Sequence, residues 1–270
     1  MQNYQFSILN SQFSKGDIMA KAILKILNSL VSLAVFLALL TAGTYSAYAL
    51  WDNNRIYTKA ENVRSDMLAL KPDTDSVDNT VSFEKLRGIN GNVCAWLSLD
   101  NTKIDYPVLQ GSDNLSYINT DVYGNFALAG SIFLDSRCDN TFADGFSLLY
   151  GHHMDNSKMF GDLDLYKDGK FFAENSGGLL ILPDKSYKLD IFACLIIPSS
   201  EKNIFEPQRW RGGTDALLDF AENNCVSLRQ DVIDGIRADG KEARILGMST
   251  CASEFTDART VVLAVMEENG

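Results

Sequence analysis

Apolar and polar positions alternate along this chain in three distinct regimes. From Ile26 to Trp51 no residue is charged, and Leu30–Leu40 is almost wholly aliphatic. Coiled as a helix, these 26 residues would reach about 39 Å, more than the ~30 Å of a bilayer's hydrocarbon core. No polar stripe marks any helical face, which argues against a buried core helix. Next, Trp51 to about Leu70 is charged, with Ile56, Val63, Met67 and Leu70 roughly on one stripe, and Lys71–Ser76 breaks the pattern. That reads as a stalk helix and a linker. Beyond residue 82 the period shortens to that of strands. Apolar runs stand at Cys94–Asp100, Tyr106–Gln110, Ser131–Asp135, Phe146–Tyr150, Gly178–Leu182, Tyr187–Ile197, Arg244–Met248 and Thr260–Met266, each bounded by turn residues. About eight such runs predict a mainly β domain, a closed or nearly closed eight-stranded barrel. Helical spacing at Gly213–Asn224, after a long excursion from Pro198 to Gly212, adds a peripheral helix.

Charge orients the first segment. Lys15, Lys21 and Lys25 precede it, which places the N-terminus in the cytoplasm and the remainder outside. Ala47-Tyr48-Ala49 resembles a signal-peptidase site, but the apolar run is longer than a signal peptide's core, so an uncleaved anchor is the favoured reading. Lys15–Met19 is the kind of peptide obtained when a ribosome-binding site is translated, so Met19 is an alternative start. The expected organisation is a cytoplasmic 1–25, a membrane anchor at 26–50, a stalk and linker at 51–81 and an extracellular catalytic domain at 82–270. Residues 1–50 hold three lysines against one aspartate, a net of +2, so the other 220 residues carry −13 of the overall −11. Such an acidic ectodomain argues against nucleic acid or anionic lipid as partners.

The candidate chemistry is sparse and therefore legible. Five cysteines at 94, 138, 194, 225 and 251 form no disulfide framework, and no spacing suggests zinc; no metal and no cofactor are expected. The only two histidines are His152 and His153. If the last two runs pair as a hairpin, Cys251 ends one strand beside Arg259 at the start of the next, and His152, at the end of another, can project from the same rim. A Cys251 thiolate would attack a carbonyl, His152 would move the proton, and the Arg259 guanidinium would steady a developing oxyanion. Taken singly, each residue has a blander reading: a buried thiol, a rim histidine, a surface salt bridge. Their conjunction behind a membrane anchor is less ordinary.

Several motifs in order carry a resemblance from about Phe83 to Met266. They are Trp96–Gln110, Asp113–Ile118, Tyr123–Asn125, Ala129–Asp135, Tyr150–Met154 with Met159-Phe160, and Ser249-Thr250-Cys251 with Arg259. In these the chain resembles a class B sortase, a membrane-anchored cysteine transpeptidase of Gram-positive cell surfaces. The resemblance implies a sortase-like barrel and His152, Cys251 and Arg259 as catalytic residues, with His153 a structural neighbour. It also implies a groove lined by Asn114, Ile118, Ile204, Phe205, Ser249 and Thr250. The implied reaction cleaves a Pro-x-Thr type sorting motif after Thr through a thioacyl-enzyme. The implied partners are secreted proteins bearing that motif and a peptidoglycan or lipid-linked amine that accepts them. Gly247-Met248 departs from the family's Thr-Leu at the same positions, which touches local substrate contacts rather than the chemistry. Alternatives remain open: a pilin polymerase using a lysine acceptor, a surface hydrolase, or a non-catalytic peptide-binding barrel.

Overall fold

The computed structural model describes residues 2–74, 76, 78–240, 242–251 and 257–269, with the side chains of 2–15 and of Cys251 outside that description. The chain divides into two compact units, Met1–Arg55 and Ile56–Gly270.

The first unit is the N-terminal part of a single helix, α1 (Gln2–Leu68). From residue 16 to Leu50 its side chains are exposed. Three hydroxyls within the apolar run turn back on the helix: those of Thr41, Thr44 and Ser46 donate to carbonyls three or four residues earlier at 2.9–3.0 Å. A helix satisfies its own backbone groups, and one that is apolar all round is the form hydrocarbon tolerates. It is long and apolar enough to cross a membrane.

In the second unit the end of α1 packs against the globular body. Ile56, Tyr57 and Ala60 lie against one core cluster, and Val63 and the buried Met67 join another. The apolar stripe read from the sequence as belonging to a stalk is therefore a contact face from Ile56 onward. A second helix, α2 (Thr80–Ile89), buries Phe83 and Leu86 in the same cluster.

Eight strands close the barrel. They are β1 (Val93–Leu99), β2 (Asp105–Leu109), β3 (Ile132–Leu134), β4 (Phe146–Tyr150), β7 (Gly177–Ile181), β8 (Ser186–Pro198), β10 (Ile245–Cys251) and β11 (Ala258–Glu268). Their order is β11-β10-β4-β3-β2-β1-β7-β8, and β8 pairs back onto β11 along the whole length of the latter. Two of the contacts are parallel, β10 with β4 and β2 with β3. The long β8 serves both edges, since beyond β7 its far end also pairs with the short β9 (Cys225–Leu228). Closure leaves no free edge among these eight for another chain to pair with.

Around the barrel lie a two-residue-by-two-residue ribbon, β5 (His153–Met154) with β6 (Lys158–Met159), and the helices α3 (Gly169–Glu174), α4 (Lys202–Phe205), α5 (Asp215–Asn224) and α6 (Gln230–Asp239). The helix expected at Gly213–Asn224 is α5. Helix α6 was not anticipated, because only Ile233 of its ten residues is fully buried and its apolar signal is correspondingly thin. Gly247 has a clear packing reason: a β-carbon there would come within 2.8–2.9 Å of the Phe146 ring. The aromatic ring of β4 occupies the space a threonine side chain would need.

Candidate active site

The rim where β4 and β10 end and β11 begins gathers the candidate residues. In the β10–β11 ladder Thr250 stands opposite Thr260, and Cys251 stands opposite Arg259. The hairpin expectation for these two strands thus holds in register; the turn itself, with Thr256, lies outside the described residues, as does the Cys251 side chain. Strand β4 runs parallel to β10 with Tyr150 beside Ser249. The Gly151 amide then donates to the Ser249 carbonyl at 3.2 Å, so the chain enters His152 alongside the last residues of β10. Pairing of the β10–β11 hairpin with the distant β4 brings residues 152, 251 and 259 to one end of the barrel.

His152 is half-buried and its Nε2 lies 2.7 Å from the Ile118 carbonyl oxygen. A carbonyl only accepts, so Nε2 carries the hydrogen and Nδ1 is the nitrogen left open to exchange a proton. The carbonyl is itself wedged in place. Gly130, with φ of +59°, lies so close that a β-carbon there would sit 2.4 Å from the Ile118 oxygen. His153 faces elsewhere, with Nε2 3.1 Å from Asp164 Oδ2, while Asp164 Oδ1 accepts from the Thr260 hydroxyl at 2.9 Å. The second histidine is thereby part of the barrel's scaffolding.

A cleft of about 300 Å³ opens at this rim. Asn114 and Ile118 form one part of its wall, Ser199 and Phe205 another, and His152 and Arg259 line it as well. Its floor is aromatic: the Phe133 and Tyr150 rings lie 5.4 Å apart, and Phe205 stacks on Tyr150 at 6.4 Å and 15°. Ser249 and Thr250 belong to this apolar lining, and among the described residues their buried hydroxyls have no hydrogen-bond partner. Unpaired buried hydroxyls in an open cleft are groups for a ligand to satisfy. The Arg259 guanidinium is half-buried and, among the described residues, donates to the Ala258 carbonyl at 2.9 Å.

Two expected lining residues behave differently from the reading of the sequence. Ile204 does not face the cleft: its side chain is fully buried in the cluster that contains Trp210, Leu217 and Leu218. In the single turn of α4 adjacent residues point about 100° apart, so anchoring Ile204 in the core turns Phe205 to the cleft. Asn114 is on the wall, but its amide is engaged at both ends, donating to Asp135 at 2.9 Å and accepting from the Ser136 amide at 2.8 Å.

That second contact reveals a buried centre that sequence reasoning missed. Asp135 is fully buried, and its carboxylate accepts from Arg137 Nε and Nη2 at 2.9 and 2.6 Å, from the Arg137 amide at 2.9 Å and from the Tyr150 hydroxyl at 3.0 Å. Burial pulls this carboxyl upward, but the Arg137 and backbone hydrogen bonds outweigh it and hold the group below its ordinary range. Burial, reinforced by the Asp135 charge, pushes Tyr150 up and keeps its hydroxyl a neutral donor. The signal in the sequence was only a charged Asp-x-Arg closing an apolar run, which is ordinary turn chemistry.

Comparison with known proteins agrees with this geometry. None of the protein-family models searched matches the chain. Sortase B of Listeria monocytogenes is 28% identical over 228 residues, which span 84% of this chain and 89% of that protein. A Streptococcus pyogenes class B sortase involved in pilus biogenesis is 34% identical with a TM-score of 0.61, over 69% of this chain and 98% of that one. Clostridium perfringens sortase B, in a mutant form, is 27% identical with a TM-score of 0.64, over 77% and 97%. A closed eight-stranded barrel, matched over nearly the whole of a relative one-third identical in sequence, is a shared inheritance of fold and family: the chain belongs to the class B sortases and is a cysteine transpeptidase.

Proposed function

We propose that this protein cleaves a Pro-x-Thr type sorting motif after Thr and transfers the acyl group to an amine of peptidoglycan or its lipid-linked precursor. In the first half-reaction the Cys251 thiolate adds to the threonine carbonyl. The resulting oxyanion collapses to a thioester as the C–N bond breaks, and the departing amine takes a proton from His152. In the second, the acceptor amine loses a proton to His152, attacks the thioester and expels the thiolate. Arg259, permanently charged, donates to the oxyanion in both steps. Ser249 and Thr250 would line the path of an extended peptide lying over Tyr150 and Phe205.

One observation carries this reading: the ladder sets residue 251 directly opposite residue 259, which lines a cleft that His152 also lines. By the charge asymmetry about the apolar helix the enzyme sits at the cell membrane, N-terminus inside and catalytic unit outside, as a single-pass protein with residues 26–50 as anchor. The test uses the full chain in detergent micelles, wild type and Cys251→Ala, with quenched peptides containing Pro-x-Thr and a small amine acceptor, products read by mass spectrometry. Cleavage after Thr with an amine adduct, absent from the variant, is the expected result. Cleavage elsewhere, or undiminished in Cys251→Ala, would overturn the reading.

A second reading has one observation in its favour. The 34%-identical Streptococcus pyogenes relative is described as involved in pilus biogenesis, which suits a lysine on another protein as acceptor. Product mass separates the two, because a pilin polymer grows by whole protein subunits.

A further inference from the structure

The cleft's Phe205 wall belongs to the excursion between β8 and α5, whereas its floor belongs to β3 and β4. The two are joined by Arg137. This residue follows β3 in a tight turn in which the Cys138 amide donates to the Asp135 carbonyl at 3.0 Å. The Gln110 side chain braces the turn by donating to the carbonyls of Asp135 and Cys138 at 3.0 and 2.8 Å. The turn folds the guanidinium back over Asp135. From there Arg137 Nη2 reaches in two directions, to Asp135 Oδ2 at 2.6 Å and to the Phe205 carbonyl at 2.7 Å. A second arginine repeats the link, with Arg211 donating to the Arg137 carbonyl at 2.9 Å and pairing with Asp144 at 3.7 Å.

We propose that Arg137 is a positioning residue that latches the Phe205 wall to the barrel rim and so sets the width of the peptide groove over Tyr150. Exposed ion pairs contribute little in general, but this one is referenced to a fully buried carboxylate whose other acceptor sites are filled. The carboxylate therefore has a defined direction, and the arginine has one place to be. The same carboxylate holds the Tyr150 hydroxyl, so floor and wall of the cleft are registered to one buried charge. The group recognised is an extended peptide whose apolar side chain rests on the Tyr150–Phe205 face. This inference rests on the transpeptidase reading of the cleft.

The test compares wild type with Arg137→Gln and Arg137→Lys in the full chain in micelles, by two independent readouts. Steady-state kinetics on the quenched Pro-x-Thr peptide that wild type cleaves best should give a KM about tenfold higher in Arg137→Gln at nearly unchanged kcat, with Arg137→Lys intermediate. Hydrogen exchange should accelerate in peptides covering residues 199–212 of Arg137→Gln while those covering β1 and β2 stay as in wild type. The second readout needs no turnover, so it stands even if the sorting-motif reading fails. Unchanged exchange at 199–212, acceleration spread over the whole barrel, or a fall in kcat at constant KM would each overturn the latch.

Discussion

Gly130 offers a sharp test of how the histidine is held. It has a left-handed φ of +59°, and a β-carbon placed on it would lie 2.4 Å from the Ile118 oxygen and 2.8 Å from the Tyr117 oxygen, both backbone atoms. Gly124, in the same loop, has a φ of +80° but nothing within 4 Å of such a carbon. Alanine at either site meets the left-handed penalty of about 1–2 kcal/mol. At Gly130 it must also drive a carbonyl from 2.4 Å toward an ordinary carbon–oxygen contact of about 3.3 Å, an overpacking cost of about 1–3 kcal/mol. Gly130→Ala should therefore be less stable than Gly124→Ala by about 1–3 kcal/mol, or roughly 2–12 °C in Tm for a unit of this size. The displaced oxygen is the acceptor of His152 Nε2 at 2.7 Å, and a shift of nearly 1 Å takes that bond past useful geometry. Loss of about 1 kcal/mol of positioning corresponds to a fall in kcat/KM of roughly five- to tenfold. Thermal unfolding and peptide cleavage on the two variants suffice. Equal Tm values, with wild-type kcat/KM in Gly130→Ala, would refute the argument that this glycine wedges the carbonyl against the histidine.

Three further outcomes are expected. Burial pushes the Cys94 and Cys138 thiols up to about 12, so at neutral pH their thiolate fraction is on the order of 10⁻⁵; mass-spectrometric mapping after iodoacetamide should find both unmodified until the protein is unfolded. Asp135 titrates below its ordinary 3.8 in the folded state, so its stabilisation is complete above that value and is lost as pH falls through the lower folded one. Urea unfolding of Asp135→Asn should therefore show a lower plateau near neutrality and a flatter acid limb than wild type; identical limbs would remove Asp135 from the acid response. Gly247→Thr should cost about 1–3 kcal/mol by collision with the Phe146 ring, and Phe146→Leu in the same chain should recover part of it, as read by the urea midpoint.

Much of the molecule was legible in one dimension. The period-two runs marked all eight barrel strands within a residue or so at most ends, because a strand with a buried face must alternate or be apolar throughout. The uncharged segment after Lys25 announced a helix that satisfies its own backbone. Two histidines and one Ser-Thr-Cys left few ways to assemble cysteine chemistry, and the order of motifs pointed to the family. What no linear pattern could supply was the choice among neighbours. Parallel pairing of β10 with β4, strands nearly a hundred residues apart, is a decision of the closed sheet, and it alone brings His152 to the rim where residues 251 and 259 face each other. The same is true of Ile204 and Phe205, adjacent and both apolar: only packing against Trp210 and Leu217 decides which is core and which is wall. The Asp135–Arg137 centre was hidden for the same reason. A charged pair after a strand reads as surface, and its meaning depends on Asn114, Tyr150 and the Phe205 carbonyl arriving from three other parts of the fold. Periodicity reports whether a residue faces inward; the identity of what it meets there is set by long-range closure of the barrel.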